Sequence, residues 1–172
     1  MTSVAGMPRV ASLPTAAATH EFGMRLGREL RAGDLVVLTG ELGAGKTTLT
    51  QGIGQGLGVR GPVTSPTFVI ARVHPSLVGG PALVHVDAYR LGGAVELDDL
   101  DLDADIAESV TVVEWGHGVA ERLADAYLEV VLEVGNAEGD RGRHGVGDAE
   151  ARRATVTAFG DRWANLAQRL AG

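Results

Sequence analysis

Apolar residues along this chain alternate between short unbroken runs and stretches where they recur every three or four positions. Leu35 to Thr39, Ala82 to Asp87 and Val110 to Glu114 are β-branched apolar runs. Runs of this kind predict strands buried on both faces, as in a parallel sheet. Phe68 to Val73, Tyr127 to Val134 and Ala154 to Phe159 read as further strands. Thr15 to Ala32 carries Phe22, Leu26 and Leu30 at helical spacing and stops at Gly33. Thr47 to Leu57 predicts a second helix, although Gly52, Gly54 and Gly56 weaken its propensity. Val119 to Ala126 predicts a short helix. Asp161 to Leu170 predicts a closing amphipathic helix with Trp163, Leu166 and Leu170 on one face.

Polar and glycine-rich segments separate these elements. Gly58 to Pro62 is a glycine-proline turn, and His74 to Pro81 is a loop with prolines and glycines. Glu96 to Asp105 is acidic with leucines interleaved, and Gly135 to Ala149 is a long charged loop. Residues 1–12 are expected to be a flexible lead, leaving 13–172 as the folded domain. Strands alternating with helices predict an α/β fold: one domain, a mainly parallel sheet with antiparallel edge strands, flanked by helices. Ligands of such sheets sit beyond the carboxyl ends of the strands.

One such end carries Gly40-Glu-Leu-Gly-Ala-Gly-Lys-Thr47, the G-x-x-x-x-G-K-[ST] pattern of a P-loop. Strand, glycine loop and helix are the context this pattern requires, so the expected class is a single-domain P-loop NTPase. Glycines let the backbone curl so that N–H groups of Gly43, Ala44, Gly45, Lys46, Thr47 and Thr48 can converge on phosphate oxygens. The helix that follows adds its positive N-terminal end. Lys46 would reach the β- and γ-phosphates, and the Thr47 hydroxyl would be placed for Mg²⁺. Lys46 is the one lysine of the chain, all other fixed positive charge being arginine.

Two more strand ends carry carboxylates. Asp87 after Leu83-Val-His-Val86 has the Walker B arrangement, and Glu114 after Val110-Thr-Val-Val113 has the same form. One could ligate Mg²⁺ while the other orients a water, and spacing leaves the assignment open. Ser65 and Thr67, in Thr64-Ser-Pro-Thr67, are either switch hydroxyls that sense a γ-phosphate or members of an ordinary turn. His85 reads as a packed or hydrogen-bonded strand histidine. Trp115 is either core or a cap on the pocket. Arg90 and Arg152 are candidate phosphate or partner contacts.

Composition narrows the function. The net charge is −7 and the arginines are scattered, so a self-sufficient grip on nucleic acid is not expected. The few aromatics argue against a base-stacking platform. No cysteine is present, which removes disulfides, thiolate zinc sites and cysteine nucleophiles, and fits a reducing cytoplasm. No membrane span and no signal peptide are evident in the sequence. Guanine recognition by Asn-Lys-x-Asp is impossible, because Lys46 is already committed to the loop. A small-molecule kinase would need an arginine-rich lid, for which only Asp140-Arg-Gly-Arg143 offers itself.

Four segments together resemble the TsaE family, also called YjeE. They are Gly40-Glu-Leu-Gly-Ala-Gly-Lys-Thr-Thr48, Val63-Thr-Ser-Pro-Thr-Phe68, His85-Val-Asp-Ala-Tyr-Arg-Leu91 and Glu114-Trp115. Gly116 stands where the family commonly has proline. The resemblance implies an ATPase that serves threonylcarbamoyladenosine formation at position 37 of tRNAs reading codons that begin with A. It implies TsaB and TsaD as partners, tRNA being met through that complex, and ATP hydrolysis driving its turnover. It also implies Thr47 and Glu114 as Mg²⁺ ligands, Asp87 as the Walker B aspartate and Thr64 to Phe68 as the switch. Arg152, or Arg153 one residue on, would approach the nucleotide, and Pro14 to Thr19 would lie on its adenine side. The expected catalytic set is Lys46, Asp87 and Glu114.

Overall fold

The computed structural model describes residues 5–41, 43–63, 71–88, 106–115, 124–135, 151–163 and 165–170. The strands are β1 (Arg9–Leu13), β2 (Leu35–Gly40), β3 (Ala71–His74), β4 (Ala82–Asp87), β5 (Ser109–Glu114), β6 (Tyr127–Val134) and β7 (Arg152–Phe159). The helices are α1 (Ala16–Glu29), α2 (Lys46–Leu57) and α3 (Leu166–Leu170), with a 3-10 turn at Asp161–Trp163. The strands form a single sheet in the order β1-β7-β6-β2-β5-β4-β3. Its centre is parallel, with β2 between β5 and β6 and β4 beside β5. The β6–β7, β1–β7 and β3–β4 pairs are antiparallel. This is a single-domain α/β fold with a mixed sheet, parallel within and antiparallel at the edges.

The apolar runs are buried for the reason their composition suggests. Every residue of β5 is buried, and β2 is buried from Leu35 to Leu38. Val36, Leu38, Leu83, Val110 and Val112 face α1 and α2, packing against Phe22, Leu26, Leu49 and Ile53. Leu35, Val37, Val84, Val86 and Val113 face the other way, into a smaller cluster with Tyr127. Tyr127 and Phe159 stack with ring centroids 4.5 Å apart, joining the ends of β6 and β7.

The glycines that weaken α2 as an isolated helix are its packing surface. Gly23 and Gly27 of α1 meet Gly52 and Gly56 of α2 backbone to backbone. A Cβ on Gly23 would lie 3.1 Å from the Gly52 Cα and inside contact distance of the Leu49 carbonyl oxygen. A Cβ on Gly52 would strike the His20 carbonyl in the same way. The lost propensity is offset by an approach no larger residue allows. Thr15 caps α1, its Oγ1 accepting from the Ala18 N–H at 3.0 Å.

Two expectations change. Arg9–Leu13 is not a frayed lead. It is an edge strand whose register runs from Arg9 opposite Val156 to Leu13 opposite Arg152, and Ala5 bridges Phe159 beyond it. The physical reason is that β7 would otherwise present an open row of backbone donors and acceptors, while Leu13 reaches the core. The closing helix is broken in two. The Trp163 N–H bonds the Gly160 carbonyl at 3.3 Å in a tight turn, and the Arg162 guanidinium is pulled to Asp34 at 2.9 and 3.2 Å. Trp163, Leu166 and Leu170 still share the core. Of the strand expected from Phe68, the described part runs over Ala71–His74, residues 68–70 lying outside the described residues. So do most of the predicted helix at Val119 to Ala126, whose residues 124–126 are not helical, the acidic segment Glu96 to Asp105, and most of the Gly135 to Ala149 loop.

His74 on β3 is a buried imidazole whose Nε2 has no hydrogen-bond partner. Burial, then the nearby His85, hold its pKa below the ordinary 6.5; a hydrogen bond to the Arg60 backbone opposes this, and Arg72 adds to the lowering. The unfolded chain therefore binds a proton here more readily than the folded one. The stabilisation is complete above pH 6.5 and is lost as pH falls through the lower folded value. Melting temperature should fall more steeply from pH 7 to 5 in the wild type than in His74→Leu, and parallel curves would contradict this.

Candidate nucleotide site

The site is built where β2 hands over to α2. Gly43 and Gly45 have φ of 82° and 97°, the left-handed region that only glycine adopts freely. These two positions turn the chain back so that α2 starts at Lys46. The first α2 amide bonded back along the helix is Leu49 N–H, to the Gly45 carbonyl at 2.9 Å. The amides before it belong to the first turn, which has no intrahelical acceptor. They and the helix dipole give the concavity over the loop the polarity that suits an anion.

Lys46 is buried although it is a lysine. Its Nζ donates to the Gly40 carbonyl at 2.7 Å and lies 3.7 Å from the centroid of the Trp115 ring. Burial lowers its pKa, and the charges of Glu114 and Asp87 oppose that lowering. The ammonium thus sits in a pocket that keeps it close to two carboxylates. Asp87 and Glu114 are in register with each other at the ends of β4 and β5, so the parallel sheet itself places them side by side.

Trp115 follows with φ of 60°, a conformation that a bulky side chain adopts only under constraint. Its N–H donates to the Leu38 carbonyl at 2.9 Å, which holds the turn. The residue is half-buried and lies under the lysine, so it belongs to the site and not to the core. Sequence could name the tryptophan but not the turn that aims it. His85 is the packed, hydrogen-bonded strand histidine expected, and what was hidden is its partner: its Nε2 stands 3.1 Å from Glu114 Oε1, both side chains buried.

Arg152, at the start of β7, crosses to the loop and donates to the carbonyls of Gly43 and Ala44, each at 3.1 Å. Arg153 is the next residue along the strand, where side chains point to the opposite face, and Arg152 is the one at the loop. Ala16, Thr19, Gly43, Gly45, Thr48 and Arg152 line a cavity of about 130 Å³ between the start of α1 and the loop. A larger cavity of about 460 Å³ opens on the other flank, beside Thr39, Trp115 and the end of β6. Ser65, Thr67 and Arg90 lie outside the described residues.

The donors suit a hard cation bound together with a phosphate ligand. Among the described residues no group of three or more His, Cys, Asp or Glu side chains forms a metal site by itself. Mg²⁺ does not need one, since it is commonly held by one or two protein oxygens, waters and substrate phosphates. Thr47, Asp87 and Glu114 supply oxygens of that kind. Among the described residues no helix is long and apolar enough to cross a membrane.

The fold and this strand-loop-helix site define the class: a small α/β protein with a mixed sheet, parallel at its centre, and a glycine-rich loop between a central strand and the helix that follows. The family model described as "Threonylcarbamoyl adenosine biosynthesis protein TsaE" matches residues 13–143. A TsaE of Streptomyces coelicolor is 61% identical over 84% of this chain and 93% of its own. A TsaE of Bacillus subtilis is 38% identical over 81% of this chain and 79% of its own. Both are described as tRNA threonylcarbamoyladenosine biosynthesis proteins. The crystal structure of Bacillus subtilis YdiB superposes with a TM-score of 0.72 at 29% identity, covering 95% of this chain and 94% of that one. The chain belongs to the TsaE family, whose members take part in threonylcarbamoyladenosine biosynthesis on tRNA.

Proposed function

We propose that this chain is an ATPase whose binding and hydrolysis of ATP drive turnover of a TsaB–TsaD complex that modifies adenosine 37 of tRNA. The observation that carries the reading is the buried Lys46 at the head of α2, beside the two in-register carboxylates Asp87 and Glu114. The backbone amides of the loop and the Lys46 ammonium would bind the triphosphate. Thr47 and Glu114 would hold Mg²⁺, which when bound neutralises phosphate charge. Asp87 would orient the attacking water or a metal-bound water. Arg152 holds the loop by its Gly43 and Ala44 carbonyls. With a net charge of −7, contact with tRNA would come through the partner proteins, in the cytoplasm. Nucleotide state would reach those partners through the segment carrying Ser65 and Thr67.

Glu114→Ala tests the division of labour. Turnover of ATP should fall by roughly 100-fold, while ATP affinity in Mg²⁺ falls by no more than about tenfold. Steady-state hydrolysis and calorimetric binding, measured on the same preparation, give both numbers. Equal losses would count against the metal role of Glu114.

A further inference from the structure

The buried partner of Glu114 has no share in the role just given to the carboxylate, yet it constrains it. His85 lies on β4 and is completely buried. It is in register with Val112, so its reach to Glu114 is diagonal across the β4–β5 pair. Of its two ring nitrogens only Nε2 has a partner, Glu114 Oε1 at 3.1 Å. Nδ1 is buried without one. A proton on Nδ1 would leave a buried donor unsatisfied, so the neutral ring carries its proton on Nε2 and donates it to the carboxylate. One carboxylate oxygen is thereby engaged, and the rotamer of Glu114 is fixed by two strands of the sheet's interior. The slot lies among Leu83, Val110 and Val112, where an aliphatic side chain would be the cheaper filler. An imidazole with one idle nitrogen stands there, and what sets it apart from an aliphatic filler is the bond its other nitrogen makes.

We propose that His85 is a positioning residue that, through its Nε2–H, holds Glu114 in the single orientation that presents one oxygen to a divalent cation. The assignment rests on the nucleotide reading above. Partners of this kind, behind a ligand rather than on the metal, typically change metal affinity or activity by 10- to 100-fold. The test is ATP binding by calorimetry, in EDTA and in saturating Mg²⁺, on the full chain and on His85→Gln and His85→Leu. The ratio of the two affinities measures how strongly the cation supports the nucleotide.

In His85→Leu that ratio should fall by about tenfold, with affinity in EDTA within about twofold of wild type. His85→Gln, whose amide can supply a donor near Nε2, should keep the ratio within about threefold. An unchanged ratio in His85→Leu overturns the assignment, and so does a loss in His85→Gln equal to that in His85→Leu, since volume alone would then explain it. If His85→Leu does not fold, His85→Asn, too short to reach Glu114, is read by the same criteria. Wild-type protein that binds no ATP in either condition overturns the nucleotide reading itself, and this assignment with it.

Discussion

Lys46→Ala should abolish ATP binding, with affinity falling by at least about 100-fold. The loop would keep its amides, but the ammonium that now bonds the Gly40 carbonyl would be gone. Two acids, Asp87 and Glu114, would then face the triphosphate without the cation that offsets them. Like charges brought together at a partly desolvated site repel strongly, so the loss exceeds that of one hydrogen bond. No other lysine exists to substitute, and Arg152 is occupied with loop carbonyls. Equilibrium dialysis with labelled ATP reads the change, and a folded control is provided by the melting temperature. Binding within threefold of wild type would place the nucleotide elsewhere.

The second large effect concerns the fold and has a sign opposite to helix propensity. Gly52→Ala should stabilise α2 by about 1 kcal/mol if the helix stood alone. In the protein it should destabilise by about 2–3 kcal/mol, because the new methyl meets the His20 carbonyl and the Gly23 backbone, neither of which can rotate away. Either α1 moves off α2 or the strand layer beneath them adjusts. Gly54→Ala is the control on the same helix. Its methyl meets side-chain methyls of Val63, Val59 and Leu83 and no backbone, so its loss should be smaller than that of Gly52→Ala by about 1 kcal/mol or more. Urea unfolding of the two variants checks the pair of values. A stabilised Gly52→Ala would contradict the account of how the helices meet.

The parts of this molecule written in periodicity were legible. The runs at Leu35, Ala82 and Val110 became β2, β4 and β5 because a strand buried on both faces needs an unbroken apolar run. The glycine loop was legible because its backbone geometry demands glycine at fixed places. What depends on partners far away in sequence was not. Arg9–Leu13 is weakly apolar, and only the open edge of β7 makes it a strand. Asp161 to Leu170 has helical spacing, but it opens as a 3-10 turn whose Arg162 reaches Asp34, a partner far away in sequence. The glycines of α2 read as defects until α1, with glycines of its own, is laid against them. In the site, Lys46 could be named from the glycine loop and Asp87 and Glu114 from strand ends, and register alone brings the two acids together. The His85–Glu114 bond and the left-handed turn at Trp115 leave no mark on a single sequence, because each is a choice among rotamers or dihedrals that the folded surroundings make.

Everything functional here depends on the loop between β2 and α2 accepting a triphosphate. Titration of the purified chain with ATP in the presence of Mg²⁺, followed by calorimetry, tests it most directly. Saturable heat is expected, with a stoichiometry of about one nucleotide per chain, lost in Lys46→Ala. An absence of heat at millimolar ATP and Mg²⁺, from protein shown to be folded, would contradict it.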